Sequence, residues 1–212
     1  MKIQELMTGA VVTVRSGTPL KDAAALMAEH HVSGLPVVDA EGRVVGVLSE
    51  GDILYKETGR RTKPTLLGMG LRNEDPRATA VTAGDAMTVP AVTVGPDRLV
   101  SEAAASMIDN GISRLPVVDD DGRLVGIVTR ADLMRAFVRP DEEVAREIRE
   151  DVFQRIFWIE PGFVHVEVHG GEVELSGAVE TKADAELVPV LVERVPGVVG
   201  VLSKLRWQAD EG

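Results

Sequence analysis

Two short segments hold the residues best suited to chemistry: Ser49-Glu50-Gly51-Asp52 and Thr129-Arg130-Ala131-Asp132. Each places a hydroxyl three residues before a carboxylate. At the start of a helix this spacing is a capping box, in which the hydroxyl accepts a backbone N–H and the acid reaches back. The same carboxylate has two oxygens that match a pair of cis hydroxyls, such as those of a ribose, and bonds to a charged acceptor are stronger than neutral ones. The hydroxyl and the unpaired N–H groups of a helix start also suit a phosphate. The two roles are compatible, and the sequence leaves both open.

Other chemistry has less support. The chain has no cysteine, which excludes disulfides, thiolate metal sites and a cysteine nucleophile. It has no P-loop, no His-Glu-x-x-His helix and no Gly-x-Ser-x-Gly elbow. Without a nucleophile–base pair or a metal cluster, an enzyme is not expected. His165, Glu167 and His169 alternate along one run, a spacing that could bind a metal but equally describes a solvated sheet face, and no metal is expected. His30 and His31 read as surface loop residues.

The elements that must position the two acidic segments repeat at a fixed offset. From Met7/Met87 to Leu54/Met134 each residue aligns with the one 80 positions later, without a gap, and 20 of 48 pairs are identical. In each copy a short β-rich run (11–14 in the first) precedes a helix opened by Thr18-Pro19, with Pro at the first helical position. Leu20, Ala23, Ala24 and Met27 form an apolar stripe of helical period. Val32 to Val38 and Val44 to Leu48 read as a hairpin around Asp39-Ala-Glu-Gly42, and Ser49 starts a second helix. The order is β-α-β-β-α. Both hairpin strands are almost wholly apolar, as in a sheet buried on two faces. One such copy of about 50 residues is marginal alone, and two copies packed about a pseudo-twofold axis remove that problem.

The last third differs in composition. Residues 141–212 carry 16 acidic and 7 basic side chains, net −9 of the chain's −11. This shift sets a boundary near Pro140. The mildly basic stretch 55–86, with Arg60, Arg61, Lys63, Gly68, Gly70 and Pro76, reads as a linker. Val144, Ile148, Val152 and Ile156 mark a helix over 141–157. Val164, Val166 and Val168 alternate with His165, Glu167 and His169, and the strand turns at Gly170-Gly171 into Val173, Leu175 and Val179. A helix is expected from Thr181 to Val195, interrupted or bent at Pro189, and a strand from Val198 to Trp207. The order is α-β-β-α-β. A net charge of −11 argues against nucleic acid and anionic membrane as partners. With no long apolar run and no leader-like N-terminus, a cytoplasmic protein is expected.

The doubled Met-Thr opening (Met7-Thr8, Met87-Thr88), the Leu-Pro-Val-Val-Asp hairpin and the Ser/Thr-x-x-Asp after it resemble a tandem pair of cystathionine-β-synthase (CBS) domains, a Bateman module. The resemblance covers about residues 1–138. It implies a mixed α/β (α+β) fold with two repeats, at 1–58 and 81–139, joined by 59–80. It also implies a non-catalytic regulatory module that binds AMP, ADP, ATP, S-adenosylmethionine or a related adenosyl compound between the repeats, and commonly a homodimer. By motif, one cleft would use Thr18, Ala23, Val32 and Ser33 with Ile127, Thr129, Arg130 and Asp132. The other would use Ile112, Ser113 and Arg114 with Val47, Ser49 and Asp52. Arg98 stands where the first repeat has Thr18, a departure from the usual small polar residue. Glu50 beside Ser49 would repel a phosphate that Arg130 beside Thr129 could neutralise, so the Asp132 cleft is expected to be the better phosphate site. Arg114 could give the other cleft a cation of its own.

The run from Val166 through Gly170-Gly171 and Gly177 to Val179, with Val195-Pro-Gly-Val198 before the last strand, resembles a BON domain over 140–208. That resemblance implies a small interaction domain linked to membranes or stress responses, touching lipid or an unknown protein partner. Two other roles fit the same residues: an adaptor whose clefts stay empty, and a membrane-associated stress protein working through its last third.

Overall fold

Residues 1–57, 79–160 and 162–207 are described by the structure, a computed structural model, with the side chains of residues 56 and 57 left aside. Arg60, Arg61, Lys63, Gly68, Gly70 and Pro76 of the basic stretch lie outside the described residues. In the first repeat α1 (Leu20–Glu29) leads into a hairpin of β1 (Gly34–Val38) and β2 (Val44–Ser49), then α2 (Glu50–Glu57). A short α3 (Ala83–Ala86) opens the second repeat, followed by α4 (Val100–Asp109), β3 (Arg114–Val118), β4 (Leu124–Thr129) and α5 (Arg130–Phe137). The mixed α/β class expected from the repeat is therefore found.

The leading strand of each repeat is shorter than expected. Val14 N donates to Pro36 O at 3.1 Å and Val38 N to Val14 O at 2.9 Å, and the pairing stops there. The next rung would need an N–H at position 36, which proline lacks. Val94 meets Pro116 and Val118 in the same way. Pro19 sits at the cap of α1 and not inside it.

The chain divides into two units. One holds Met7–Pro96 and Arg114–Val128, the other Met1–Leu6, Asp97–Ser113 and Thr129–Gly212. In the first unit, Leu20, Ala23 and Met27 of α1 pack with Val14, Leu35, Val37, Leu48, Ala80, Ala83 and Ala86. Within the same unit the two hairpins are linked by symmetric bonds. Thr8 and Ile127 exchange both backbone bonds, at 2.9 and 3.0 Å, and Thr88 and Val47 do the same at 2.9 and 3.2 Å. These pairs interchange under the offset of 80, so the Met-Thr opening of each repeat pairs with the second strand of the other. Gly46 and Gly126 allow that approach. A Cβ on Gly126 would lie 2.5 Å from Met7 Sδ and 3.2 Å from Thr8 O, and one on Gly46 would meet Met87 and Thr88 in the same way.

In the second unit, Val100, Ala103 and Met107 of α4 are buried, as are Asp132 and Ala136 of the adjoining α5. The last third begins with α6 (Asp141–Glu147) and a π-helical turn at Ile148–Gln154. A three-stranded sheet follows, in the order β5 (Val164–His169), β6 (Glu172–Val179), β7 (Gly200–Trp207). β5 and β6 are antiparallel, β6 and β7 parallel, and α7 (Lys182–Val192) lies chiefly over β7. Val164, Val166 and Val168 face the core, while His165, Glu167 and His169 are exposed. Gly170 and Gly171 turn the hairpin with φ of +61° and +82°, backbone values that glycine adopts without strain.

Three boundaries differ from the sequence reading. The apolar stripe was expected to end on Ile156, but Phe153 is buried and Ile156 is 52% exposed. Arg155 N bonds Glu150 O and Phe157 N bonds Val152 O, five residues back, and this wider turn rotates the following side chains out of register. α7 runs through Pro189 and ends at Val192. β7 begins at Gly200, after Val199 N has bonded Gly171 O at 2.8 Å. No helix among the described residues is long and apolar enough to cross a membrane.

A partly buried ionic cluster joins α6 to the chain before it. Glu147, with 10% of its side chain exposed, accepts hydrogen bonds from Arg139 and from the Met1 amino group, and Arg139 Nε also reaches Glu143 at 3.4 Å. Burial alone would raise the Glu147 carboxyl, but these two donors outweigh it and hold it below its ordinary value. A depressed folded value adds stability above the ordinary carboxylate range, and that stability is lost as pH falls through the folded value. Glu147→Gln is therefore expected to lower the melting temperature at neutral pH and to flatten the loss of stability as pH falls below the ordinary glutamate range. Thermal melts across that range test this, and parallel pH profiles for the two proteins would count against it.

Candidate functional site

Both acidic segments are caps in the structure. Asp52 Oδ2 accepts from Ser49 N at 2.9 Å and Ser49 Oγ at 2.6 Å, while Asp52 N donates to Ser49 Oγ at 3.3 Å. Asp132 Oδ2 accepts from Thr129 N and Oγ1, both at 2.7 Å, and Asp132 N donates back at 3.3 Å. Each carboxylate is only 4% exposed. Capping engages Oδ2 in both cases, so a ligand would address the face that carries Oδ1. At Asp132 that oxygen pairs with Arg135, three residues on and exposed. The sequence reading missed this partner, although an Asp–Arg pair three apart on a helix is a readable signal.

The grouping built on Asp52 is largely contained in one unit, which holds Val47, Ser49, Asp52 and Arg114. Arg114 Nη2 donates to Ser33 Oγ at 2.8 Å, and its guanidinium lies across the backbone of Gly34, where any Cβ would overlap it. Burial draws the Arg114 guanidinium below its ordinary value, and the nearby carboxylates of Glu50 and Asp52 oppose that. Glu50 N bonds Ser33 O at 3.1 Å, which brings Ser33 up to the start of α2. A half-buried cation, a buried acid, a hydroxyl and a helix start thus share one place. Ser33, assigned by motif to the other cleft, meets Arg114 here, and Glu50 and Gly34 belong to the same cluster.

The members of the other grouping fall in both units. Thr18, Ala23, Val32, Ser33 and Ile127 lie in one, and Thr129, Arg130 and Asp132 in the other, together with Ile112 and Ser113. Thr18 Oγ1 accepts from Arg15 N at 3.1 Å. Ala23 is wholly buried in the core, whereas Val32 is 37% exposed. Ile127 spends its backbone groups on Thr8, as Val47 does on Thr88. Arg130 is exposed, and its N–H bonds Ser113 O at 3.0 Å, repeating the Glu50–Ser33 bond. A cleft of about 560 Å³ runs between α1 and α2, lined by Ala24, Met27, His31, Val32, Ser33 and Leu54 among others. Among the described residues no group of three or more His, Asp or Glu is placed to hold a metal ion.

Comparison with known proteins accords with this geometry. The CBS domain family matches residues 3–58 and 83–139. The chain belongs to the CBS-domain family. Its CBS pair is followed by a BON domain, matched over residues 140–209. The uncharacterized protein MJ1426 of Methanocaldococcus jannaschii is 34% identical over 65% of this chain and 92% of its own length. The chloroplastic CBS domain-containing protein CBSX2 of Arabidopsis thaliana is 34% identical over 61% of this chain and 60% of its own. Two solved structures resemble the CBS pair. The CBS pair of protein MJ0100, in complex with 5-methylthioadenosine and S-adenosyl-L-methionine, has a TM-score of 0.54 and 28% identity over 65% of this chain and 95% of that one. CBSX2 in complex with AMP has a TM-score of 0.52 and 32% identity over 64% and 94% of the two chains.

Proposed function

We propose that this CBS pair is a non-catalytic regulatory sensor for an adenosine-containing ligand and that it relays occupancy to the BON domain. The observation that carries this reading is the cluster of Ser49, Asp52, Ser33 and Arg114 at the start of α2, in a family whose solved neighbours hold AMP, methylthioadenosine and S-adenosylmethionine. The Asp52 carboxylate would take the ribose diol, and Arg114 the phosphate of AMP, ADP or ATP. Arg114 supports the Asp52 cleft as the phosphate site, the reverse of the order expected from Glu50 and Arg130 alone. The Asp132 cleft, with Thr129 and Arg135, suits an adenosyl group without phosphate.

The relay would run along α5. This helix carries Asp132 and Arg135 near its start. It is about 12 Å long, and its last carbonyl, Phe137 O, lies 3.4 Å from where a Cβ on Gly197 would sit. A ribose on Asp132 would displace Arg135, and the tilt of α5 would be felt in the turn before β7. The domains are taken as 1–58, 81–139 and 140–208, with 59–80 as the joining segment. A homodimer through the CBS helices is supported by Leu54 on α2 and its offset-80 equivalent Met134 on α5, each 59% exposed, and by Ile108 at 75%. A cytoplasmic location fits a nucleotide sensor.

A thermal-shift panel of AMP, ADP, ATP, S-adenosylmethionine and NAD tests the reading. A ligand at about 100 times its Kd should raise the melting temperature by about 5 °C or more. No shift with any adenosyl compound at millimolar concentration would refute the sensor.

A further inference from the structure

Among the described residues the BON sheet ends on an open strand, with β7, eight residues long, paired to β6 on one side only. Leu202 is 57% exposed, Trp207 47% and the adjoining Val199 62%. On α7, which lies over β7, Leu187 and Val190 are 53% and 45% exposed, three residues apart on one helix face. An unpaired edge of this length invites another strand, and an apolar helix flank above it invites another helix. A lone peptide strand would cover the first and leave the second in water.

We infer that β7 is a homotypic interface, in which β7 of a second copy pairs with it antiparallel about a twofold axis at Ser203. Side-chain register selects both the occupant and the alignment. On the outer face Glu172 stands beside Gly200 and Glu174 beside Leu202. An axis at Ser203 places Arg206 of the partner opposite Gly200 and Lys204 of the partner opposite Leu202. The row at Gly200 then runs from Glu172 of one copy, over the glycine, to Arg206 of the other, while Lys204 already bonds Glu174 at 2.5 Å within its own copy. Gly200 has no side chain, so the long Arg206 of the partner can reach over it to Glu172. On the core face Val201 meets Leu205 of the partner and extends the apolar layer that both already touch. An axis one residue on, at Lys204, would set like charges side by side. Two three-stranded sheets become one of six strands, and the Leu187/Val190 flanks of the two α7 helices extend over the junction.

Because the chain has no cysteine, a single introduced thiol reports on the axis without background. In the full-length protein, Ser203→Cys is expected to form a disulfide-linked dimer under mild oxidation, and Ser176→Cys on the middle strand is not. Arg206→Glu is expected to weaken this association about tenfold, read by sedimentation equilibrium, and Glu172→Arg combined with Arg206→Glu to restore it. A dimer held only through the CBS helices, or an edge reserved for a different protein, gives no more cross-linking at 203 than at 176. That result, or an Arg206→Glu protein that associates like the wild type, overturns the interface.

Discussion

Gly177→Ala is expected to unfold the BON domain at temperatures where the wild type is intact. Gly177 lies in β6 at φ +123°, opposite Val164. A Cβ there would overlap Phe163 O and come within 3.0 Å of Val164 Cα. Both are backbone atoms, at and just before the start of β5, so no rotamer change relieves the contact, and an L-residue rarely adopts this φ. Strain and overlap together are worth about 3–5 kcal/mol, a large part of the roughly 5–15 kcal/mol that holds a domain together. Gly170→Ala supplies the control. Its φ of +61° is also positive, but a Cβ there meets nothing within 4 Å, so only the left-handed backbone cost of about 1–2 kcal/mol applies. Circular dichroism melts of the two variants separate the effects. If Gly177→Ala melted at or above Gly170→Ala, the overlap argument would fail.

The second large effect is expected at the Asp52–Arg114 cluster proposed to take the nucleotide. Asp52→Ala should weaken AMP binding about a hundredfold, the loss of two hydrogen bonds to a charged acceptor at about 1.5 kcal/mol each. Arg114→Ala should weaken AMP by about tenfold to a hundredfold and leave adenosine nearly unchanged, because the guanidinium addresses only the phosphate. Titration calorimetry with AMP and adenosine on both variants, with Asp132→Ala beside them, checks the assignment. Equal losses for AMP and adenosine in Arg114→Ala would show a packing role over Gly34 and no phosphate contact. Loss of AMP binding in Asp132→Ala alone would return the phosphate to the other cleft. Asp52→Ala also removes a cap worth about 1 kcal/mol, so the titrations belong well below the melting temperature of each variant.

Several of these features were legible in the residues because they rest on local chemistry. The offset of 80 gave the two repeats, since a hairpin needs the same turn residues and apolar strands wherever it occurs. The Ser/Thr-x-x-Asp spacing gave both caps, because a hydroxyl three residues before an acid at a helix start bonds locally whatever packs around it. The alternation of Val164, Val166 and Val168 with His165, Glu167 and His169 gave the buried and exposed faces of β5, because the strand period is two. Other features depended on partners distant in sequence. Pro36 limits the pairing of Val14 to a single rung, but only if those two segments lie side by side. Ile156 leaves the core because a π turn forms upstream, and nothing in an apolar spacing of four announces that turn.

The amino-acid sequence by itself determined the repeats, the helix caps, the hairpin turns, the acidic last third and the candidate carboxylates, for each depends on residues within a few positions of one another. Tertiary structure alone decided which repeat lends which residue to the other. Met7 and Met87 settle against glycines 119 and 41 residues away in Gly126 and Gly46, and Arg114 crosses to Ser33, 81 residues back. Such pairings are fixed by the packing of whole hairpins, where a methionine sulfur fits over a missing Cβ and a half-buried guanidinium lies beside carboxylates. The motif already grouped Arg114 with Asp52, and the long-range fit adds its seat against Ser33 and Gly34.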